Sequence, residues 1–220
     1  MKILALEFST RHRCAAVLDT SGCAEASRGV ARETDTRATP VFSLIERALA
    51  QAGLAREDIE AIAVGLGPGS ATGIRAAIAV AQGWHLARGV RLLGLGSLEV
   101  LAAELHAEGR RGRVWLAVDA QRGEFHLARY ELETAGPRLI EPLRLASRGE
   151  VIAAVQAGEA VLGPDLAALV AGASDAFPEA EALARLAMGT EVAGRPEALE
   201  PIHLRAVSFV KSPTPVRSAG

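Results

Sequence analysis

Lysine is nearly absent. Of 24 basic residues only Lys2 and Lys211 are lysines, so the glycine-rich stretch Gly65–Arg75 has no Lys-Ser/Thr pair with which to close a P-loop. Aromatic residues make up 4% of the chain, too few for a nucleic-acid face that interleaves basic and aromatic side chains. There are two cysteines, Cys14 and Cys23, in no metal-binding spacing, and a reduced pair is the expectation. Charge of one sign is missing as well: the formal net charge of −2 gives no bulk attraction to nucleic acid or membrane. No apolar run reaches the length of a membrane span. The N-terminus has one Lys before a short apolar segment containing Glu7, which is not a secretory leader, so a cytoplasmic location is expected. Around Ser70 the two glycine positions of a nucleophile elbow are filled by Pro68 and Thr72, which excludes that serine-hydrolase arrangement. None of the five histidines has an obvious acidic partner in sequence, and no catalytic metal site is expected.

Apolar residues are abundant, at 50% of 220 positions, ample for one large domain or two small ones. Short strands are expected over 3–8, 14–18 and 23–30, joined by tight turns as a meander. Thr39 and Pro40 open a helix to Ala52, stopped by Gly53, with Val41, Leu44, Ile45, Ala48 and Leu49 as its apolar stripe and Phe42 off the centre of that stripe. A strand over Ile59–Val64 runs into the glycine-rich turn and then a helix over Thr72–Arg88, ending at Gly89. This turn reads either as a close packing of helix on sheet or as an anion site at a helix start. Further strands are expected over 91–95, 114–118, 124–132, 138–145 and 160–163. Helices are expected from Ser97 as cap to Glu108, from Ser147 as cap to Ala157, from Pro164 to Val170, and over Ala180–Met188. The cluster Asp119, Arg122 and Glu124 reads as a ligand site or as a salt-bridged turn. The tail from Ser212, with Pro213 and Pro215, is expected to lack order.

Four stretches carry a family resemblance. Gly65–Arg75 followed by Ala81-Gln82-Gly83 is similar to the Gly-Arg-Gly-Pro-Gly-Ser-Phe-Thr-Gly-Val/Ile-Arg…Ala-Gln-Gly segment of the bacterial TsaB (YeaZ) family. Met1–Thr10 resembles its opening strand, Leu116–Phe125 its Ala-Ile-Asp-Ala-Arg-x-Gly-Glu segment, and Pro201–Arg205 its closing Pro-x-Tyr-Leu-Arg. Ala71 and His203 depart from the family's Phe and Tyr.

The resemblance implies an α/β chain of the actin-like (ASKHA, ribonuclease H-like) fold. Two related subdomains are implied, the second reduced, with bounds at 1–109 plus about 198–220, and at 110–197. It implies a non-catalytic partner of a TsaD-like enzyme. With a TsaE-like ATPase, the complex adds threonylcarbamoyl to N6 of the adenosine beside the anticodon in tRNAs reading ANN codons. ATP and metal are then expected on the partner subunit, a homodimer when alone, and tRNA contact through the complex. In the TsaD relatives a His-x-x-x-His pair binds metal near this chain's His106, which has Ala102 and Arg110 at that spacing. The helices 39–52 and 72–88 are where such proteins pair, through Val41, Leu44, Ile45, Ala48, Ile74, Ala77, Ile78 and Ala81. A charge at Ala77 or Ala81 is therefore expected to break association and leave the chain folded. The alternative is an actin-like phosphotransferase or ATPase acting by itself. It would use Glu7, Ser9 and Thr10 with Gly67, Gly69, Ser70, Thr72 and Gly73 as a nucleotide-phosphate loop, although Glu7 stands where such folds usually carry Asp.

Overall fold

The structure is a computed structural model that describes residues 1–20, 27–34, 40–189 and 199–204. Its first half is a sheet of β1 (Lys2–Glu7), β2 (His12–Asp19), β3 (Arg28–Thr34), β4 (Ala61–Gly65) and β5 (Arg91–Leu95), in the order β3-β2-β1-β4-β5. The first three strands are an antiparallel meander, and β4 and β5 add parallel to β1. The second half repeats this plan. β6 (Gly112–Asp119), β7 (Glu124–Glu133) and β8 (Gly136–Ser147) form a meander. β9 (Ala160–Gly163) and the two-residue β10 (Ser174–Asp175) then add in parallel, in the order β10-β9-β6-β7-β8. Each half thus has the order third-second-first-fourth-fifth. The second is reduced in its parallel strands and helices, as the actin-like reading required.

β1 is buried on both faces, and its two-residue period divides the first half's cores. Leu4, Leu6 and Phe8 face α1 (Val41–Ala52) and α2 (Ala71–Arg88). Ile3 and Ala5 face the opposite way, onto α5 (Ala180–Gly189). α3 (Ser97–Ala107) lies between the sheets. Val100 reaches the first sheet's core, while Leu98, Leu101, Ala102 and Leu105 fill the second's. α4 (Arg148–Gln156) covers the outer face of the second sheet through Val151. Among the described residues no helix is long and apolar enough to cross a membrane.

Several expectations need correction. The stretch 164–170 forms turns and no helix: Asp165 adopts a left-handed backbone (φ 55°) and its carboxylate pairs with Arg11 at 2.5 Å. α5, which the expected bounds place in the second subdomain, packs on the core of the first sheet. The third strand runs over Arg28–Thr34, and Thr39, Cys23 and the tail from Ser212 lie outside the described residues. Ser147 does cap α4, in a reciprocal capping box with Glu150.

Candidate functional site

Glu7 ends β1 with its side chain wholly buried. One carboxylate oxygen accepts the Ser9 N–H at 2.9 Å, and the other accepts the Ser97 hydroxyl at 2.9 Å. Ser97 Oγ in turn accepts the Gly67 N–H at 3.1 Å, and Ser97 N donates to the Gly67 carbonyl at 2.7 Å. Ser97 was expected to cap α3. Gly96 occupies the cap position, and the hydroxyl instead joins the end of β1 to the glycine-rich turn. Burial raises the Glu7 carboxyl above the ordinary glutamate range, hydrogen bonds from Ser9 and Ser97 oppose this, and the charge of Glu179 adds to the rise.

The glycines of the turn are explained by what lies against them. A Cβ at Gly65 would meet a Glu7 carboxylate oxygen at 2.0 Å, one at Gly69 the Ser9 carbonyl oxygen at 2.1 Å, and one at Gly73 the Phe8 carbonyl oxygen at 2.1 Å. Ser70 N donates to that same Ser9 oxygen at 2.7 Å, and Ser70 Oγ accepts the Gly73 N–H as the cap of α2. The turn is wrapped around the chain's own β1–β2 connection. Of the predicted loop residues, the fold brings together Glu7, Ser9, Gly67, Gly69, Ser70 and Gly73. Thr10 is buried but exchanges hydrogen bonds with the His12 backbone, and Thr72 is exposed.

The connection from β6 to β7 lies at the same end of the molecule, since Ala120 and His126 line a small crevice with Gly69, Ala71 and His203. Gln121, Arg122 and Gly123 are successively left-handed, with φ of 64°, 60° and 77°. For the two non-glycine residues this costs about 1–2 kcal/mol each. Asp119 offsets the cost by accepting both the backbone N–H and the side-chain amide of Gln121, at 2.8 Å each. Of the cluster expected here, Asp119 is bonded to Gln121, and Arg122 is exposed. Among the described residues no three of His, Cys, Asp and Glu converge as metal ligands.

The third feature is the outer side of α1 and α2. All eight residues expected to form an interface, namely Val41, Leu44, Ile45, Ala48, Ile74, Ala77, Ile78 and Ala81, are buried in the chain's own core. Their side chains are largely turned inward, although Ile45 also lines the groove between the helices, and a charge at Ala77 or Ala81 would strike the fold itself. What the two helices present outward is different. Phe42 is 65% exposed and Leu86 85% exposed. A groove of about 540 Å³ lies between the helices, lined by Phe42, Val80, Gly83, Trp84 and Ala87. Gly83 stands in the middle of α2, and a Cβ there would meet nothing within 4 Å. The signal for this surface lay in Phe42, off the apolar stripe, and in a glycine inside a helix that needs none.

Comparison with known proteins accords with this arrangement. Residues 34–169 match the family model described as TsaD: tRNA N6-adenosine threonylcarbamoyltransferase. The chain is similar to the tRNA threonylcarbamoyladenosine biosynthesis protein TsaB of Escherichia coli, 31% identical over 62% of this chain and 58% of that protein. It is also similar to TsaB of Haemophilus influenzae, 28% identical over 58% of this chain and 53% of that protein. The match spans less than two thirds of the length of these curated relatives. Among solved structures, YeaZ from Pseudomonas aeruginosa superposes with a TM-score of 0.76 at 28% identity, covering 92% of this chain and 99% of that one. With the family model over most of the chain, TsaB among its relatives and YeaZ matching its fold almost throughout, the chain belongs to the TsaD-type threonylcarbamoyltransferase family, on its TsaB/YeaZ branch.

Proposed function

We propose that this protein is a non-catalytic partner subunit of the machinery that adds threonylcarbamoyl to N6 of the adenosine beside the anticodon in tRNAs reading ANN codons. It docks a TsaD-like catalytic subunit, works with a TsaE-like ATPase in the cytoplasm, and pairs with itself when alone. ATP and metal belong to the partner. The observation that carries this reading is Gly83. A glycine in a helix interior costs about 1 kcal/mol relative to alanine. This one sits between Ala79 and Ala87 on the outer side of α2 and relieves no contact within the chain. Its missing side chain is accounted for by a helix of another subunit that crosses there, with the exposed Phe42 of the same groove as an apolar anchor.

The reading as a self-sufficient ATPase finds less support, because the glycines that would cradle a phosphate are closed around Ser9 and Phe8. Light scattering behind size exclusion tests the proposal, on the chain alone and mixed with the TsaD-like protein of the same source. A homodimer that converts to a heterodimer is expected. Gly83→Leu should leave the melting temperature nearly unchanged and abolish both associations. A chain that ignores the TsaD-like protein would overturn the proposal.

A further inference from the structure

We infer that residues Ala176–Glu179 form a strap that fastens the second half of the molecule to the first, with Arg11 and His12 as its clasp, and that the strap lifts from β2 as one local unit while the rest of the chain stays folded. The described chain passes between the halves twice. It crosses first through α3, whose Leu98, Leu101, Ala102 and Leu105 are packed in the second sheet's core. It returns between the end of β10 at Asp175 and the start of α5 at Ala180, and the four residues between are the strap. α3 is held by apolar packing, whereas the strap is held by a row of side-chain contacts to β2 and β3.

The row begins at the β1–β2 connection. The Arg11 guanidinium pairs with the Asp165 carboxylate at 2.5 Å, and its central carbon lies 5.6 Å from the centre of the Phe177 ring. The His12 imidazole stacks on the same ring, 3.7 Å away centre to centre and tilted by 13°. Two residues along β2, Cys14 Sγ accepts the Ala180 N–H at 3.1 Å. From β3, Arg32 Nε holds the Glu179 carboxylate at 2.8 Å. The Arg11 and Asp165 side chains are 43% and 42% exposed, so water and salt reach the pair and it holds weakly. A segment of four residues fastened through exposed pairs belongs to the part of a structure that opens locally. Closed, the strap covers the buried Cys14, whose Sγ also lies 4.0 Å from the Pro178 carbonyl oxygen. Burial pushes that thiol up and keeps it inert until the strap lifts.

Cys14 therefore reports the opening. Cys23 is first replaced by serine, which leaves one thiol in the chain. Alkylation of Cys14 by iodoacetamide is then followed by mass spectrometry in increasing urea. The rate should be nearly independent of urea at low concentration and rise steeply only near the unfolding transition, as a local opening requires. A rate that follows the global unfolding slope from the lowest urea upward overturns the strap. Asp165→Asn removes the charge and tolerates left-handed backbone. It should speed alkylation about fivefold, the loss of one exposed ion pair. Phe177→Ala removes the stacking surface and should speed alkylation about tenfold. Amide exchange over 176–180 should rise in the same proportion. An unchanged rate in both variants overturns the clasp, and so does a faster rate accounted for wholly by a lower urea midpoint. Should Phe177→Ala fail to fold, Asp165→Asn decides alone. The chain by itself suffices for these measurements, so their failure would leave the docking role of the α1–α2 groove as it stands.

Discussion

Glu7 keeps a carboxyl where water does not reach, and its titration is the clearest chemical handle on the fold. Because its folded pKa lies above the unfolded value, the native state binds the extra proton between the two. Stability then falls as pH rises through that window, and the full cost is present above the folded pKa. Glu7→Gln removes the ionisation and keeps an acceptor for Ser9 N–H. Urea melts at pH 5 and pH 8 should show the parent chain losing stability relative to this variant at the higher pH; parallel behaviour at both would refute the assignment. Gly73→Ala is a harsher change at the same place, since its methyl would fall 2.1 Å from the Phe8 carbonyl oxygen. A loss of about 3 kcal/mol is expected, read as a lower denaturation midpoint. A midpoint unmoved by the substitution would mean that the turn is seated more loosely than described.

The helices show what the sequence could and could not disclose. α1 declared its inward side, because Val41, Leu44, Ile45, Ala48, Leu49 and Ala52 recur at helical spacing and all are buried. α2 did not. Alanine lies on every side of it, and alanine is as content in a core as on a surface, so Ala77 and Ala81 read as an interface although they belong to the core. The expected helix over 164–170 failed for another reason: local propensity proposed it, whereas Asp165 takes a left-handed backbone and the turns bury Leu166 and Val170 in the second sheet's core. The glycine-rich turn was legible as a turn. What filled it was not, because the Phe8 and Ser9 carbonyls of the β1–β2 connection leave no mark in composition. These distinctions predict opposite outcomes on neighbouring helices. Ala77→Asp should cost about 3–5 kcal/mol by burying an unpaired charge. Phe42→Glu should shift stability by less than about 0.5 kcal/mol and remove association. Circular dichroism melts alongside light scattering read both, and an Ala77→Asp chain that melts like the parent would contradict the packing.

At the scale of the whole molecule, the two sheets share one strand order but not one independence. The first sheet's inner face, with Ile3, Ala5, Ala16 and Leu18, is covered by Ala180, Leu183, Ala184 and Ala187 of α5, which the chain supplies only after the second sheet is complete. Surface ion pairs add a second fastening, Arg28 and Arg32 of β3 to Glu181 and Glu179, each worth at most about 1 kcal/mol. A fragment of residues 1–109 should therefore lack a cooperative unfolding transition and bind a hydrophobic dye, while the full chain unfolds in one step. A fragment that melts cooperatively would show that α5 is dispensable to the first half.

The return of α5 also sets an order of events at the ribosome. β5 ends at Leu95 and α5 begins at Ala180. At about 5–20 residues per second, the interval between their synthesis is roughly 4–17 seconds. During that time a nascent chain with all five strands of its first sheet carries an uncovered apolar face. The chain's most exposed moment comes before release, and a chaperone that guards it is best sought on translating ribosomes.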